Sequence, residues 1–552
     1  MQKLITNPIL SADFYKIGHY DMYDKGMNKL YSNLTCRNDK YASDLQQSGF
    51  YNKKVVMFGL QYIIKDFLIN SFNENFFKKH KQEVISLYKQ RVDSSLGDGV
   101  ISTKHIEDLH DLGYLPLEIK AIAEGEQVNI GLPLITMTNT HPEFAWLVNY
   151  LETTLLNSIW KPITVATVAY EYRKILQHYA DLTSSVPEMV EFCGHDFSMR
   201  GQNGAEDAMI SGAAFLTSFK GTDSIPALQL LEAYYGVNPD IEAAGYSVRA
   251  SEHSIMCSLI LYNQKQLIKQ GFIGDSLSEA EYLTFKGLLE KFPTGILSLV
   301  SDQYDYWGVI KNHLPRLKDL IMSRDGKLVL RPDSSDPVKI VCGYDKGEVR
   351  DAAKNELIEN AELKYYVWDD RGFHSTYGIT EQEYKGTIEC LWELFGGTTN
   401  DKGFKELDAH IGLIYGDAIT IPRTLQICEQ LTKKGFATTN LIYGIGAYSL
   451  NGLLTRDTFG MAFKATYCEI NNESVEIYKQ PKTDLSKKSA KGLLRVEKIN
   501  NDYVLHDCQT WEQEQQSELK TVFKDGILMQ EFSLHEIRSN LLEGLKCNKA
   551  SA

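Results

Sequence analysis

An α/β fold with parallel strands, either a (β/α) barrel or a large open sheet, is predicted by three observations. Between about residues 186 and 450, short apolar runs alternate with helix-like segments, and that alternation implies parallel pairing through helical crossovers. Each run empties into a loop rich in charge, Gly or Ser. The residues suited to chemistry fall after the strand, where both architectures place their ligands.

At 552 residues the chain is too long for one ordinary core, so two or more packed units are expected. The first 160 residues mix strands and helices, with "KVVMFGLQYIIKDFLINSF" (54–72) reading as a strand end that turns into a helix. Seven strand-and-loop units follow: "MVEFCGHDFSMRG" (189–201), "AAFLTSFKGTDS" (213–224), "GYSVRASEHS" (245–254), "ILSLVSDQYD" (296–305), "LVLRPDSSDP" (328–337), "IGLIYGDAIT" (411–420) and "NLIYGIGAYS" (440–449). Extra sequence near 265–295 carries no readable motif, and the polar stretch 343–410 reads as an insertion or lid.

The tail changes character. "VEKINNDYVLHD" (496–507) and "TVFKDGILMQEF" (521–532) read as hairpins, turning at Asn500-Asn501-Asp502 and Asp525-Gly526. "SLHEIRSNLLEGL" (533–545) reads as a helix, with a Ser533/Glu536 capping box and apolar residues at 534, 537, 541 and 545. This is a small α+β unit, placed to pack with the N-terminal region.

Composition excludes several classes. The formal charge of −14 (58 basic, 72 acidic) argues against a general nucleic-acid binder. Nine cysteines without a C-x-x-C suit neither a disulfide framework nor a zinc site. The N-terminus lacks a signal-peptide core and no apolar run approaches 18 residues, so a cytoplasmic protein without a membrane partner is expected.

Single loops are weak signals: an Arg-Pro-Asp is more often an ion pair, and a lone His253 more often a satisfied loop residue. Collectively, His195, Asp196, Arg200, Asp223, Glu252, His253, Asp302, Asp305, Arg331, Asp333 and Asp417 all fall where strand ends should converge. So many carboxylates repel one another and desolvate poorly; arginines, Mg²⁺ and a hydroxyl-rich substrate would balance them. Gly416-Asp417 and Gly444-Ile445-Gly446 offer backbone N–H groups to a phosphate. Lys464, Lys479, Lys487 and Lys488 add positive charge. No G-x-x-x-x-G-K-[ST] loop exists, and "FGGTTND" (395–401) mimics a phosphoribosyl-binding loop without its preceding acidic pair.

Twelve segments in order, "LSADFYKIGHY", "TCR", "FGLQYI", "PITVAT", "GHDFSMRG", "FKGTDS", "GYSVRASEHS", "VSDQYDYW", "LVLRPDS", "YGDAIT", "LLTRDTF…FKATY" and "KKSAKG", resemble the type II phosphoribosyltransferases acting on nicotinamide and nicotinate. The resemblance implies an irregular (β/α) barrel at 161–460 and a second α+β, β-rich domain from residues 1–160 and 461–552. It also implies a homodimer with active sites at the interface. The implied reaction joins nicotinamide to phosphoribosyl pyrophosphate, giving nicotinamide mononucleotide and pyrophosphate.

By resemblance, the pyridine ring stacks between Phe197 and the partner subunit's Tyr15. Asp223 and Arg331 address the carboxamide, with Ser301 nearby. Asp333, Gly416 and Asp417 hold the ribose side, and Gly446 and Ala447 lie near the 5′-phosphate. Arg37, Arg456, Lys464 and Lys479 take the pyrophosphate, with Arg200 and the Lys487–Lys488 pair lining the channel. Asp13 and Ser247 join the substrate-binding set. His253 matches the histidine that the family phosphorylates from ATP, an activating co-substrate, and Glu252 and Asp305 are expected to support it. Mg²⁺ is expected through the pyrophosphate, without direct protein ligands.

Asp223 suits a selectivity role. Its carboxylate can accept from the amide NH₂ of nicotinamide, whereas nicotinate would bring a second anion, costing up to ~4 kcal/mol at ~4 Å and an effective dielectric near ~20. "GIGAYSLNG" (444–452) departs from the family's Gly-Ser-Gly-Gly-Gly cluster and is nearer in character to nicotinate-specific relatives. Nicotinate phosphoribosyltransferase is therefore the nearest alternative. A metal-dependent barrel hydrolase would need an H-x-H-like ligand spacing, and a non-catalytic interaction protein on the same fold is the distant alternative.

Overall fold

The computed structural model describes residues 7–351, 363–367, 378–478, 490–500 and 502–549. All seven strand-and-loop units contribute a strand to one sheet. Its order is Gly221–Thr222, Gly194–Asp196, Leu441–Ile445, Ile411–Tyr415, Leu328–Arg331, Leu297–Val300 and Arg249–Ala250. Every neighbouring pair is parallel. The central strands are buried along nearly their whole length, as expected of a parallel sheet covered on both faces. The sheet curls until its edges meet: Gly221 bridges to Tyr246, three residues before Arg249. The result is an irregular (β/α) barrel.

One reading changes. "AAFL" (213–216) closes the helix Ala205–Phe215, and the strand comes later, at Gly221–Thr222. Short apolar runs do not distinguish a strand from a buried helix end, and the helix formers upstream carry the helix through. The stretch 265–295 falls largely in the helices His253–Lys269 and Ser276–Lys291, the crossover between two barrel strands. Asp275 caps the second helix by accepting from Leu277 N and Ser278 N.

The described parts of 343–410 are more regular than their polarity suggests. Val349–Asp351, Tyr365–Val367 and Gly378–Ile379 form a small antiparallel sheet. The helix Thr387–Phe395 buries Ile388, Leu391 and Phe395. "FGGTTND" is a hairpin strand, Gly397–Thr399, paired with Lys405–Leu407.

A second seven-stranded sheet draws on both chain ends. Its order is Glu473–Glu476, Ala462–Ile470, Met27–Thr35, Pro133–Asn139, Leu117–Ala121, Lys520–Lys524 and Ile527–Leu528. Both tail hairpins form. The terminal helix Leu534–Lys549 opens with the expected capping box: Ser533 and Glu536 exchange hydrogen bonds. It buries Leu534, Ile537, Leu541 and Leu545. The boundary expected at 160/161 falls inside the 32-residue helix Glu152–Thr183, which packs against the helix Ala205–Phe215 and the strand Lys54–Val56.

Candidate active site

Four strand ends converge on Phe197. Its N–H donates to Ile445 O at 3.0 Å, which places the ring between the strands Ile411–Tyr415 and Leu441–Ile445. A Cβ added at Gly416 or Gly444 would come within 2.8 or 2.6 Å of that ring. Glycine at both positions is thus a packing requirement: it lets an aromatic plate lie flat on the backbone.

Beside the plate stands Asp223. Its Oδ1 accepts from His195 Nε2 at 2.8 Å and from Ser247 Oγ at 2.7 Å. A carboxylate only accepts, so His195 carries its proton on Nε2. Burial pushes the Asp223 carboxyl up, but His195, Ser247 and the nearby Arg331 outweigh it and hold the group below the usual carboxylate range. The Arg331 guanidinium carbon lies 5.9 Å from the Phe197 ring centroid, and its Nε is buried without a hydrogen-bond partner. A flat ring on Phe197 would meet an acceptor and a donor.

The strand Leu328–Arg331 thus ends on a guanidinium and a carboxylate because it delivers both to the surroundings of Phe197. Asp333 faces Asp302 and Asp417. Burial pushes its carboxyl up, and the charges of Asp302 and Asp417 add to that against Arg331 and His253. Asp302 is anchored by accepting from Asp333 N at 2.9 Å and Ser334 Oγ at 2.6 Å. Tyr415 OH fixes the same turn by donating to Ser334 O and Ser335 O at 2.7 and 2.9 Å.

His253, half exposed at the start of its helix, lies with Nε2 3.3 Å from Asp302 Oδ1. The supports expected for it, Glu252 and Asp305, are engaged elsewhere. Glu252 accepts from Ser254 Oγ, and Asp305 caps the next helix by accepting from Gly308 N at 2.9 Å. "VSDQYD" offers two acids three residues apart, and only the turn decides which one meets the histidine. Ser301 is fully buried and stitches strands, donating to Leu299 O and accepting from Arg331 N. It positions Arg331 from beneath.

Arg37 is held against the turn 456–461 that leads into the second sheet, where Arg456 pairs with Asp457. Arg37 Nε donates to Gly460 O at 2.7 Å and its N–H to Phe459 O. Arg456 shares that turn through Met461 N, and Lys464 is exposed on Ala462–Ile470 opposite Asn33. Arg200 is exposed in the loop after Phe197. Gly446 borders open space, and Ala447 leads into the turn Tyr448–Gly452. Lys479, Lys487 and Lys488 lie outside the described residues. Within one chain Tyr15 is 61% exposed beside His19 and Lys16, and Asp13 accepts from Thr153 Oγ1; the structure does not bring these two to Phe197.

Residues 192–527 match the model of the nicotinate phosphoribosyltransferase (NAPRTase) family. The chain belongs to that family. Residues 7–119 further match the nicotinamide phosphoribosyltransferase N-terminal domain. A nicotinamide phosphoribosyltransferase of Acinetobacter baylyi is 43% identical over 99% of both chains. One from Mycoplasma pneumoniae is 33% identical over 88% of this chain and 94% of its own. The solved structure of nicotinate-nucleotide pyrophosphorylase from Pyrococcus furiosus aligns with a TM-score of 0.53 at 14% identity, covering 100% of this chain and 99% of that one. Human nicotinic acid phosphoribosyltransferase gives 0.51 at 13% identity over 97% and 93%. At such identities these two structures speak for the phosphoribosyltransferase fold alone.

Proposed function

We propose that this family member is a nicotinamide phosphoribosyltransferase of NAD salvage. The pyridine nitrogen attacks the anomeric carbon of phosphoribosyl pyrophosphate; the C–N bond forms as the C–O bond to pyrophosphate breaks, through an oxocarbenium-like state. Phe197 supports the ring, Asp223 accepts from the amide NH₂, and Arg331 donates to the amide oxygen. Asp333, with Asp417, orients the ribose, while Arg37, Arg456 and Lys464 offset charge developing on the departing pyrophosphate. The observation that carries the choice of base is the Asp223 carboxylate, held ionised by donors on one oxygen with Arg331 nearby.

Mg²⁺ fits the acidic side. Among the described residues no group of three His, Cys, Asp or Glu is arranged to hold a metal directly, whereas the Asp333 carboxyl stays raised by burial, with like charge from Asp302 and Asp417, despite Arg331 and His253. Asp333 and Asp417 would hold the ion through its water shell, and the ion would supply neutralisation of the pyrophosphate. His253 is reachable by ATP: the γ-phosphoryl passes to the imidazole with ADP leaving, and water later cleaves the P–N bond. A homodimer would bring the partner subunit's Tyr15 to the open face of Phe197, and the exposure of Tyr15 supports that arrangement. A cytoplasmic setting agrees with eight described cysteines that are all free; no described helix is long and apolar enough to cross a membrane.

The test is product formation from phosphoribosyl pyrophosphate and Mg²⁺ with either base, with and without ATP. Mononucleotide from nicotinamide, raised by ATP, is expected. Product mainly from nicotinate would transfer the protein to the other branch of its family. His253→Ala should abolish ATP hydrolysis, and ATP-stimulated turnover persisting in it would remove the phosphohistidine role.

A further inference from the structure

The turn 444–452 carries Ala447 and Tyr448 among its glycines, so its shape has to be fixed by contacts beyond its own backbone. Lys161, a 5% exposed lysine inside the helix Glu152–Thr183, makes such contacts. Its Nζ donates to Asn451 Oδ1 at 2.5 Å and lies 3.4 Å from Gln202 Oε1 and from Asp207 Oδ2. Asn451 donates in turn to Gly201 O at 2.9 Å, and its Oδ1 also accepts from Asn203 Nδ2 at 3.2 Å. Asp207 accepts from Asn203 N at 2.9 Å.

The two loops also interlock sterically. A Cβ at residue 201 would come within 2.4 Å of the Ala447 Cβ, so glycine at 201 makes room for alanine at 447. A buried ammonium is costly to desolvate and persists only when paired and hydrogen-bonded. Here it ties the loop after Phe197, which carries Arg200, to the turn that carries Gly446 and Ala447.

We propose that Lys161 is a positioning residue that holds the 444–452 turn in the shape that receives the 5′-phosphate of phosphoribosyl pyrophosphate. A turn frozen in advance loses no conformational freedom on binding. The inference rests on the phosphoribosyltransferase reading above. It separates the two substrates by degree: the polar groups around the base (His195, Asp223, Ser247 and Arg331) lie outside the network, which adjoins the base only through the packing of Phe197 on Gly444.

Steady-state kinetics with each substrate varied, alongside thermal melting, test it. Lys161→Met should raise KM for phosphoribosyl pyrophosphate about tenfold, the size of a lost charge-assisted hydrogen bond, and leave that for nicotinamide within about twofold. Asn451→Ala should act in the same direction, and the double variant should be no worse than the more severe single. An unchanged phosphoribosyl pyrophosphate KM, or equal rises for both substrates, would overturn the proposal. Should Lys161→Met not fold, Asn451→Ala decides alone, since that side chain sits at a partly exposed turn. A wild type that makes no mononucleotide overturns the functional reading and the inference with it; an active wild type with unmoved variants removes only the inference.

Discussion

Asp223 and Asp333 are both carboxylates at the carboxyl ends of barrel strands, and Arg331 acts electrostatically on both. Their environments push them in opposite directions. At Asp223 two hydrogen-bond donors saturate one oxygen and the group stays ionised. At Asp333 burial and two neighbouring acids dominate and the carboxyl is raised. One end of the site is complete and can discriminate between ligands. The other carries repulsion that a ligand or cation must relieve, so it gains on binding what it lacks alone.

The largest expected effect bears on discrimination. Asp223→Ser should lower the nicotinamide to nicotinate ratio of kcat/KM by up to about a thousandfold, the limit set by a like-charge contact in an effective dielectric near ~20. An unchanged ratio would leave Asp223 without a selectivity role. Next comes Arg331→Ala, which withdraws the charge common to both ends. Its kcat/KM for nicotinamide should fall about a hundredfold, as when one partner of a buried charge pair is truncated. A loss below about threefold would mean that the guanidinium serves the fold rather than the amide.

Melting temperature measured against pH sharpens the contrast. A depressed carboxyl contributes stability that is present above its ordinary pKa and lost as pH falls through the folded value. A raised carboxyl contributes stability at acid pH that is lost as pH rises through its folded value. At pH ~7.5, therefore, Asp223→Asn should lower the melting temperature, whereas Asp333→Asn should leave it unchanged or raise it. Both groups are partly exposed, so the shifts should be small, and equal signs would break the comparison. The smallest effect belongs to Ser247→Ala, an exposed donor. It should raise KM for nicotinamide about threefold while His195 still holds the same oxygen.

Much of this was legible in the sequence, for a physical reason. A parallel strand buried on both faces must be apolar throughout, so a charge directly after it can only belong to the strand-end face. That logic placed Asp223, Arg331, Asp333 and His253 together, whereas Phe197 came only from the family resemblance. The tail hairpins and the Ser533/Glu536 cap were legible because turn and cap chemistry is local. Order of motifs, rather than any one of them, carried the family.

Tertiary structure decided what local pattern cannot encode. Asp302 rather than Asp305 meets His253, because the turn after Val300 sends one acid inward and gives the other to a helix cap. Ser301 serves the sheet, since its hydroxyl is fully enclosed between two strands. The buried ammonium of Lys161 finds an acceptor 290 residues away, a partnership that no periodicity records. Residue types and their order along the chain settled what chemistry is available; which carboxylate is ionised, which is raised and which is already engaged depends on neighbours that only folding brings within reach.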